Sequence, residues 1–181
     1  PDWQASVQKE LDQHLKDTGR DLPAIEDKNK LVKTSAFLTE VMRFRCTDPL
    51  TVPHTCTNDT MLQGHRIPKN ATLCVNLRSI MMDESYWGDP FVFRPDRFIA
   101  DDGTLKKDER VIIFGKGKRV CAGEALGRMS TFLLFAGLTA HLSFFLPPGD
   151  PVPDTEGVTG FTLGPPPFRI IAKRRNHSSH C

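Results

Sequence analysis

Residues 114–123 read Phe-Gly-Lys-Gly-Lys-Arg-Val-Cys-Ala-Gly, and a long apolar segment follows over residues 126–142. Gly115 and Gly117 permit backbone angles that a Cβ atom forbids, so this loop can fold tightly over a flat group. Cys121 falls at the N-terminal edge of the predicted helix, where the helix dipole and Arg119 favour thiolate over thiol. Taken alone, the loop is compatible with a nucleophile, a metal ligand or a buried, inert cysteine.

The spacing within the loop is more specific than its composition. Phe114, Gly117, Arg119, Cys121 and Gly123 fit the pattern F-x-x-G-x-R-x-C-x-G. This pattern resembles the haem-binding loop of the cytochrome P-450 family, the haem-thiolate monooxygenases. In that family a cysteine thiolate is the axial ligand that pushes electron density onto haem iron and favours O–O cleavage.

Two further motifs occur upstream in the family order. Glu40 and Arg43 lie three residues apart on one face of a predicted helix and can pair, although an isolated pair of this kind is usually solvated. Residues 93–98, Phe-Arg-Pro-Asp-Arg-Phe, are similar to the family's P-E-R-F motif, with Asp96 in place of glutamate. The resemblance implies that Arg97 joins Glu40 and Arg43 in a buried charge network with a structural rather than catalytic role.

The composition describes one ordinary globular chain of 181 residues, 39% hydrophobic and 25% charged. A net charge of only +2 gives no global field that would favour nucleic acid. Five cysteines, odd in number and without a CxxC pair, argue against a disulfide framework or a zinc site. We therefore expect a reducing compartment, with Cys46, Cys56 and Cys74 as core residues.

Hydrophobic periodicity predicts a mainly α fold with small antiparallel sheets, an α+β pattern. Helices are expected from Pro1 to Gly19 and over residues 31–45, joined by a polar link. Two β-like runs flank a turn around Gly64, and residues 72–75 form the clearer strand. A short helix or turn is predicted over residues 83–89, and an exposed loop over residues 101–110.

The C-terminal third carries two more expectations. The helix after the cysteine loop is apolar on nearly all faces over residues 129–138, which predicts a position in the middle of a core. Residues 160–172 are predicted to form a hairpin with an edge strand. The longest apolar run, residues 132–138, is too short to span a bilayer.

The resemblance covers residues 1–173 and implies that residues 1–181 are the C-terminal haem-binding part of a single larger P-450 domain. The family's oxygen-activating helix, and the membrane anchor of its microsomal members, would lie in an N-terminal part absent from this chain. Because the chain begins on a helical pattern and not at Met, we expect a piece of a larger protein. The resemblance implies a microsomal, drug- or steroid-metabolising type of member. The resemblance implies that the parent lies at the cytoplasmic face of the endoplasmic reticulum membrane rather than in the mitochondrion.

The family motif also assigns roles around the haem. Cys121 would be the axial iron ligand, and Arg119 would pair with a haem propionate. Phe114 would pack near the thiolate. Three small residues would lie against the porphyrin, and His54 matches a second propionate partner. The small residues are Ala122, Gly123 and Gly127.

Substrate and partner contacts follow from the same resemblance. The loop after the E-x-x-R helix and the tip of the last hairpin would face a lipophilic substrate. These positions are Leu50, Thr51, Val52, Gly160, Phe161 and Thr162. Lys116 and Lys118 would help dock an acidic electron donor, or they are ordinary solvated lysines.

Three functions are compatible with these motifs. The leading one is a monooxygenase that uses haem b, O₂ and electrons from NADPH through a reductase to oxygenate a lipophilic compound. The second is a family member that rearranges or dehydrates an oxygenated substrate without O₂ or reductase. The third is a truncated chain that binds haem without catalysis, and we expect these 181 residues alone to be inactive.

Overall fold

The computed structural model describes residues 2–160 and 162–176, and within them the predicted class of helices with small antiparallel sheets is confirmed. The helices are α1 (Asp2–Thr18), α2 (Val32–Phe44), α3 (Leu77–Met81), α4 (Glu84–Trp87) and α5 (Glu124–His141). The strands are β1 (His54–Thr55), β2 (Thr60–Leu62), β3 (His65–Ile67), β4 (Thr72–Leu73), β5 (Leu142–Phe145), β6 (Val158–Thr159), β7 (Leu163–Gly164) and β8 (Ile171–Arg174).

Helices α1, α2 and α5 pack around one apolar core. Val7, Leu11 and Leu15 recur at helical spacing on α1 and are buried, as their periodicity predicts. Phe132 of α5 is fully buried in the same cluster. Burial of each such side chain contributes about 1.5–3 kcal/mol, so this cluster is the main hydrophobic support of the cysteine loop.

The start of α2 is capped by a side chain from another helix. Its own N-cap residue, Leu31, supplies no capping hydrogen bond. Instead the Glu10 carboxylate of α1 accepts from Lys33 N at 2.7 Å, Thr34 N at 2.8 Å and Thr34 Oγ1 at 2.7 Å. Two otherwise orphaned N–H groups of the first turn are thereby bonded, and a negative charge lies at the positive end of the helix.

The polar link between α1 and α2 contains a 3₁₀ helix, Ile25–Asn29, organised by the buried Asp27. Its carboxylate accepts from Arg20 Nη2 at 2.6 and 2.7 Å and from Ala24 N at 2.8 Å, and it lies 3.0 Å from His14 Nε2. Burial alone would raise the pKa of Asp27. The bonds from Ala24, Arg20 and His14 outweigh that effect and lower the pKa to about 2. Asp27 is therefore a permanently charged anchor at neutral pH.

Two small antiparallel pairs follow α2. Strands β2 and β3 form a hairpin whose turn residues, Gln63 and Gly64, both have positive φ, as a type I′ turn requires. Strand β1 pairs with β4, which ends at Leu73, two residues earlier than predicted. Cys74 is exposed, so the prediction that it belongs to the core is wrong; it follows an edge strand that no described residue covers. Cys46 is buried as predicted.

A hairpin that turns at residues 160–162 is present as predicted, but it is shorter than the predicted range of residues 160–172. The hairpin is β6–β7, and β8 pairs instead with β5, which directly follows α5. Residues 165–167 are prolines, which lack the N–H groups that a continuous strand pairing needs. The side chain of Gln4 on α1 covers the other edge of β5, since it donates to Phe144 O and accepts from Phe144 N.

Helix α5 is buried on one face rather than on all faces, contrary to its predicted place in the middle of a core. Phe132 and Ala136 face α1 and α2 and are fully buried. Leu126, Leu134 and Leu138 are 66%, 65% and 50% exposed. Within residues 2–160 and 162–176, the packing covers one side of the helix only. No helix in this part of the chain is long and apolar enough to cross a membrane.

Candidate functional site

The loop before α5 is a tight turn closed by one backbone hydrogen bond. Gly115 and Gly117 have φ of 78° and 80°, a region that residues with a Cβ atom rarely adopt. A 3₁₀ turn, Gly117–Arg119, follows, and Cys121 N then donates to Phe114 O at 2.9 Å. The chain thus returns on itself and presents Cys121 beside the start of α5.

Cys121 is exposed, which excludes the buried, inert cysteine that the loop sequence alone allowed. Its carbonyl accepts from Glu124 N at 3.2 Å, so the residue lies in the turn that leads into the 18-residue helix α5. Cys46 is the contrasting case. Burial raises the pKa of the Cys46 thiol to about 11, which keeps that residue protonated and unreactive.

Arg119 lies two residues before the cysteine and is exposed. Its guanidinium makes no hydrogen bond or ion pair with any other described residue. A guanidinium is suited to bind a carboxylate in a bidentate manner. An exposed thiol and an unpaired guanidinium on one loop therefore fit a metal centre that carries a carboxylate, which is the donor set that haem with its propionates requires.

The space beside Gly127 contains the ring of Phe114. A Cβ atom at this position would lie 3.2 and 3.3 Å from the Phe114 ring, so the phenyl group occupies the space beside the helix backbone. The guanidinium of Arg128 lies 5.0 Å from the centre of the same ring. Gly127 thus leaves room for Phe114, and Phe114 supports the base of the cysteine loop.

Glu40 and Arg43 form a fully buried ion pair at the end of α2. Arg43 Nε and Nη2 donate to the two oxygens of Glu40 at 2.7 and 2.8 Å. Its remaining N–H groups donate to Met81 O and Pro90 O, both at 2.9 Å. Every nitrogen of this guanidinium is therefore bonded inside the protein.

Arg97 joins this pair from the 3₁₀ helix Pro95–Phe98. Its Nε lies 3.2 Å from Glu40 Oε1, and its Nη1 donates to Asp89 Oδ1 at 3.1 Å. Burial would raise the pKa of Asp89, but Arg97 and Arg94 lower it. Asp96, the departure from the family motif, is exposed and takes no part. The sequence did not point to Asp89, because no spacing rule connects it with Glu40.

The predicted substrate segments lie on neighbouring stretches of chain. Leu163 N donates to Thr47 O at 2.6 Å, which joins the β6–β7 hairpin to the segment that precedes Leu50. Leu50 and Val52 are 55% and 68% exposed, and Thr51 N donates to Val75 O. Gly160 N donates to Thr162 O at the hairpin tip; Phe161 lies outside the described residues.

His54 and the two lysines lie in different surroundings. His54 is half-buried on β1, opposite Leu73, and no hydrogen bond joins it to the cysteine loop in the described part of the chain. Lys116 donates to Glu109 at 2.9 Å, so its charge is partly neutralised. Lys118 is exposed and forms no ion pair within residues 2–160 and 162–176.

The fold, the cysteine loop and the buried network define a haem-thiolate type of chain. A family profile described as cytochrome P450 matches residues 1–172, and the chain belongs to the cytochrome P450 family. The chain is 40% identical over 175 residues to cytochrome P450 2D14 of Bos taurus and to cytochrome P450 2D6 of Homo sapiens. It is 42% identical over 176 residues to cytochrome P450 2D15 of Canis lupus familiaris.

The coverage of these relatives is uneven. Each match includes 97% of this chain but only 35% of the relative, so the chain spans about a third of their length. A zebrafish cytochrome P450 solved with abiraterone superposes on 98% of this chain and 40% of its own, with a TM-score of 0.86 and 33% identity. The sequence-based recognition of the family is therefore confirmed.

Proposed function

We propose that this chain supplies the thiolate side of a haem monooxygenase that inserts one oxygen atom from O₂ into a lipophilic substrate. The observation that carries the proposal is the exposed Cys121 at the start of α5, on a glycine loop with an unpaired Arg119. The thiolate-bound haem b supplies O–O bond cleavage when present. The protein's own contribution is to hold the thiolate, the propionates and the substrate in place.

Cys121 would ligate the iron through Sγ, and Arg119 would bind one propionate. The bond from Cys121 N to Phe114 O holds the backbone of the cysteine beside the start of α5. Ala122 and Gly123 add little bulk beside the sulfur and would lie against the porphyrin, with Phe114 packed near the thiolate. Gly127 would also lie against the porphyrin, and it leaves space for the Phe114 ring. His54 is proposed as the second propionate partner.

Substrate contact is assigned to the loop after α2 and to the hairpin tip. The exposed, mostly apolar character of Leu50 and Val52 supports a lipophilic ligand. The full set comprises Leu50, Thr51, Val52, Gly160, Phe161 and Thr162. We further propose that the protein lies at the cytoplasmic face of the endoplasmic reticulum membrane, where an NADPH-dependent reductase would supply electrons.

Lys116 and Lys118 are proposed to help dock that reductase. Because Glu109 already pairs with Lys116, we expect Lys118→Glu to slow reduction by the donor more than Lys116→Glu does. Complementary charge acts mainly on the association rate and is screened by salt. Stopped-flow reduction at low and high ionic strength measures the effect. An unchanged rate at low ionic strength in the double variant would contradict docking at these lysines.

The assignment of the iron ligand is tested by replacing Cys121 with serine in the haem-loaded full-length parent that the family resemblance implies. We expect the variant to lose the thiolate spectrum of the reduced carbon-monoxide complex, because serine cannot provide a sulfur ligand. Cys74→Ser is the matched control, since it removes an exposed thiol outside the loop and should leave the spectrum unchanged. Turnover that requires reductase and O₂ would then separate a monooxygenase from a rearranging or dehydrating enzyme, and no turnover at all would favour a non-catalytic haem protein.

A further inference from the structure

Tyr86 and Trp87 on α4 form an aromatic pair that leads from the buried charge network to the surface. Their ring centres are 5.0 Å apart, and the ring planes are nearly perpendicular. Trp87 is 8% exposed, whereas Tyr86 is 47% exposed. Indole and phenol groups lose an electron more easily than most other side chains. The pair therefore connects an oxidisable group in the interior with a second one at the solvent.

The surroundings of Trp87 do not stabilise a positive charge on its ring. The indole Nε1 donates to Ile80 O at 3.1 Å, and a backbone carbonyl is too weak a base to take the indole proton. The guanidiniums of Arg43 and Arg97 lie 5.2 and 5.8 Å from the ring centre. Glu40 pairs with both arginines and offsets part of their charge. An indole that loses an electron here keeps its proton and lies beside two cations, which is unfavourable.

Tyr86, by contrast, has a base on its hydroxyl group. The hydroxyl donates to Asp108 Oδ2 at 2.9 Å, and Asp108 Oδ1 accepts from Arg110 N at 2.8 Å, which holds the carboxylate in place. The bond to Asp108 raises the pKa of Tyr86, so the phenol stays protonated at neutral pH. The Arg110 guanidinium lies 3.9 Å from the ring centre, which opposes a positive charge there but not a neutral tyrosyl radical.

Packed side chains lead from the cysteine loop towards this pair. The guanidinium of Arg128 lies 5.0 Å from the centre of the Phe114 ring at the base of the loop. Its Nη1 lies 3.6 Å from Met42 Sδ. Met42 in turn packs against the buried cluster that contains Trp87 and Phe98. Trp87 is thus joined to the candidate haem site through protein contacts, and Tyr86 lies at the outer end.

We propose that Trp87 and Tyr86 form a radical relay that carries an oxidising equivalent from the haem side of the chain to the surface. The inference rests on the proposed function, because the one-electron oxidant arises when the haem reacts with peroxide in the absence of substrate. Trp87 gives one electron to that oxidant. Tyr86 then gives one electron to Trp87 and its hydroxyl proton to Asp108. A soluble one-electron reductant such as ascorbate returns the electron to Tyr86, and Asp108 returns the proton.

The test is treatment of the haem-loaded full-length parent with peroxide, followed by freeze-quench electron paramagnetic resonance and peptide mapping of oxidised residues. We expect a tyrosyl radical that is lost in Tyr86→Phe, because a phenyl ring does not give up an electron under these conditions. Peptide mapping of the same variant should show several-fold more oxidised Trp87. Asp108→Asn removes the base and should slow formation of the tyrosyl radical several-fold.

Trp3→Phe is the matched control. Trp3 is the other tryptophan of this chain and packs against Phe37, so its loss should leave the tyrosyl radical and the oxidation of Trp87 unchanged. The reduced carbon-monoxide spectrum is recorded first, which separates a failure of haem ligation from a failure of the relay. In protein without the thiolate spectrum, azidyl radicals from pulse radiolysis replace peroxide as the one-electron oxidant. With either oxidant, equal oxidation of Trp87 in the parent and in Tyr86→Phe, or an unchanged rate of tyrosyl formation in Asp108→Asn, would overturn the inference.

Discussion

Arg43 is the residue whose side chain is most completely engaged by the protein. It is fully buried, it pairs with Glu40 through two nitrogens, and it bonds two carbonyl groups from the chain around Met81 and Pro90. The ring of Trp87 lies 5.2 Å from its guanidinium carbon. Arg43 therefore connects α2, α3 and the segment that carries Arg97. Its loss should affect the folded structure rather than a catalytic step.

Arg43→Ala should therefore yield protein that is misfolded and free of haem. Removal of one partner leaves Glu40 charged and buried, at a cost of about 3–5 kcal/mol. That is a large fraction of the roughly 5–15 kcal/mol of stability of a typical domain. Denaturant unfolding and haem absorbance measure the two effects.

Arg94→Ala is the control for that experiment. Arg94 pairs with Asp89 but its side chain is 50% exposed, so its loss should cost less than about 1 kcal/mol. A folded, haem-loaded and inactive Arg43→Ala protein would contradict the structural role and point instead to a part in catalysis.

At the scale of elements, the start of α2 depends on a contact from α1. Glu10→Ala removes the acceptor for two N–H groups of α2 and for the hydroxyl of Thr34. Loss of an N-terminal cap costs about 1–2 kcal/mol, so we expect a lower free energy of unfolding by that amount. Chemical denaturation provides the measurement. Glu26→Ala removes an exposed glutamate from the nearby 3₁₀ helix and should have little effect; equal losses in the two variants would show that Glu10 is not a cap.

The elements that the sequence predicted well are those with local signals. The spacing of Val7, Leu11 and Leu15 indicates α1 because helix periodicity is a property of neighbouring residues. Glu40, Arg43 and Arg97 could be grouped because each lies in a motif of fixed spacing. The pairing of β5 with β8 was missed, since the two strands are separated by 25 residues and each has an ordinary local pattern. The cap that Glu10 provides for α2, and the contact between Asp89 and Arg97, form only when distant segments of the chain meet.

The candidate site shows the same division. The sequence brings Cys121 and Arg119 together because two glycines, a cation and a cysteine at this spacing form a local unit, and their roles toward haem are proposals. The contact between Gly127 and the Phe114 ring could not be predicted, because the ring comes from a residue 13 positions earlier. Likewise, the buried face of α5 is set by the helices that pack against it. A sequence that is apolar all round does not indicate which face that is.

For the whole molecule, we expect the exposed face of α5 to determine whether the chain aggregates in solution. Leu126, Leu134 and Leu138 are exposed apolar side chains on α5, and exposed apolar surface of this kind marks an interface or an aggregation site. We expect the 181 residues, produced alone, to aggregate or to bind haem weakly, without reductase-supported oxygenation. Light scattering after size-exclusion chromatography measures the association state.

A surface variant tests the cause of that association. Leu134→Glu with Leu138→Lys places an ion pair four residues apart on α5 and should reduce aggregation while the helix is retained. Phe132→Glu, on the buried face, should unfold the chain instead. A monomeric wild-type chain that turned over substrate would contradict this prediction.

The central claim is that Cys121 Sγ is the protein's ligand to haem iron, and X-ray absorption at the iron edge of the haem-loaded protein tests it most directly. We predict one sulfur neighbour of the iron, retained in Cys74→Ser and lost in Cys121→Ser. A first coordination shell of nitrogen and oxygen alone in the unmodified protein, or a sulfur neighbour that persists in Cys121→Ser, would contradict it.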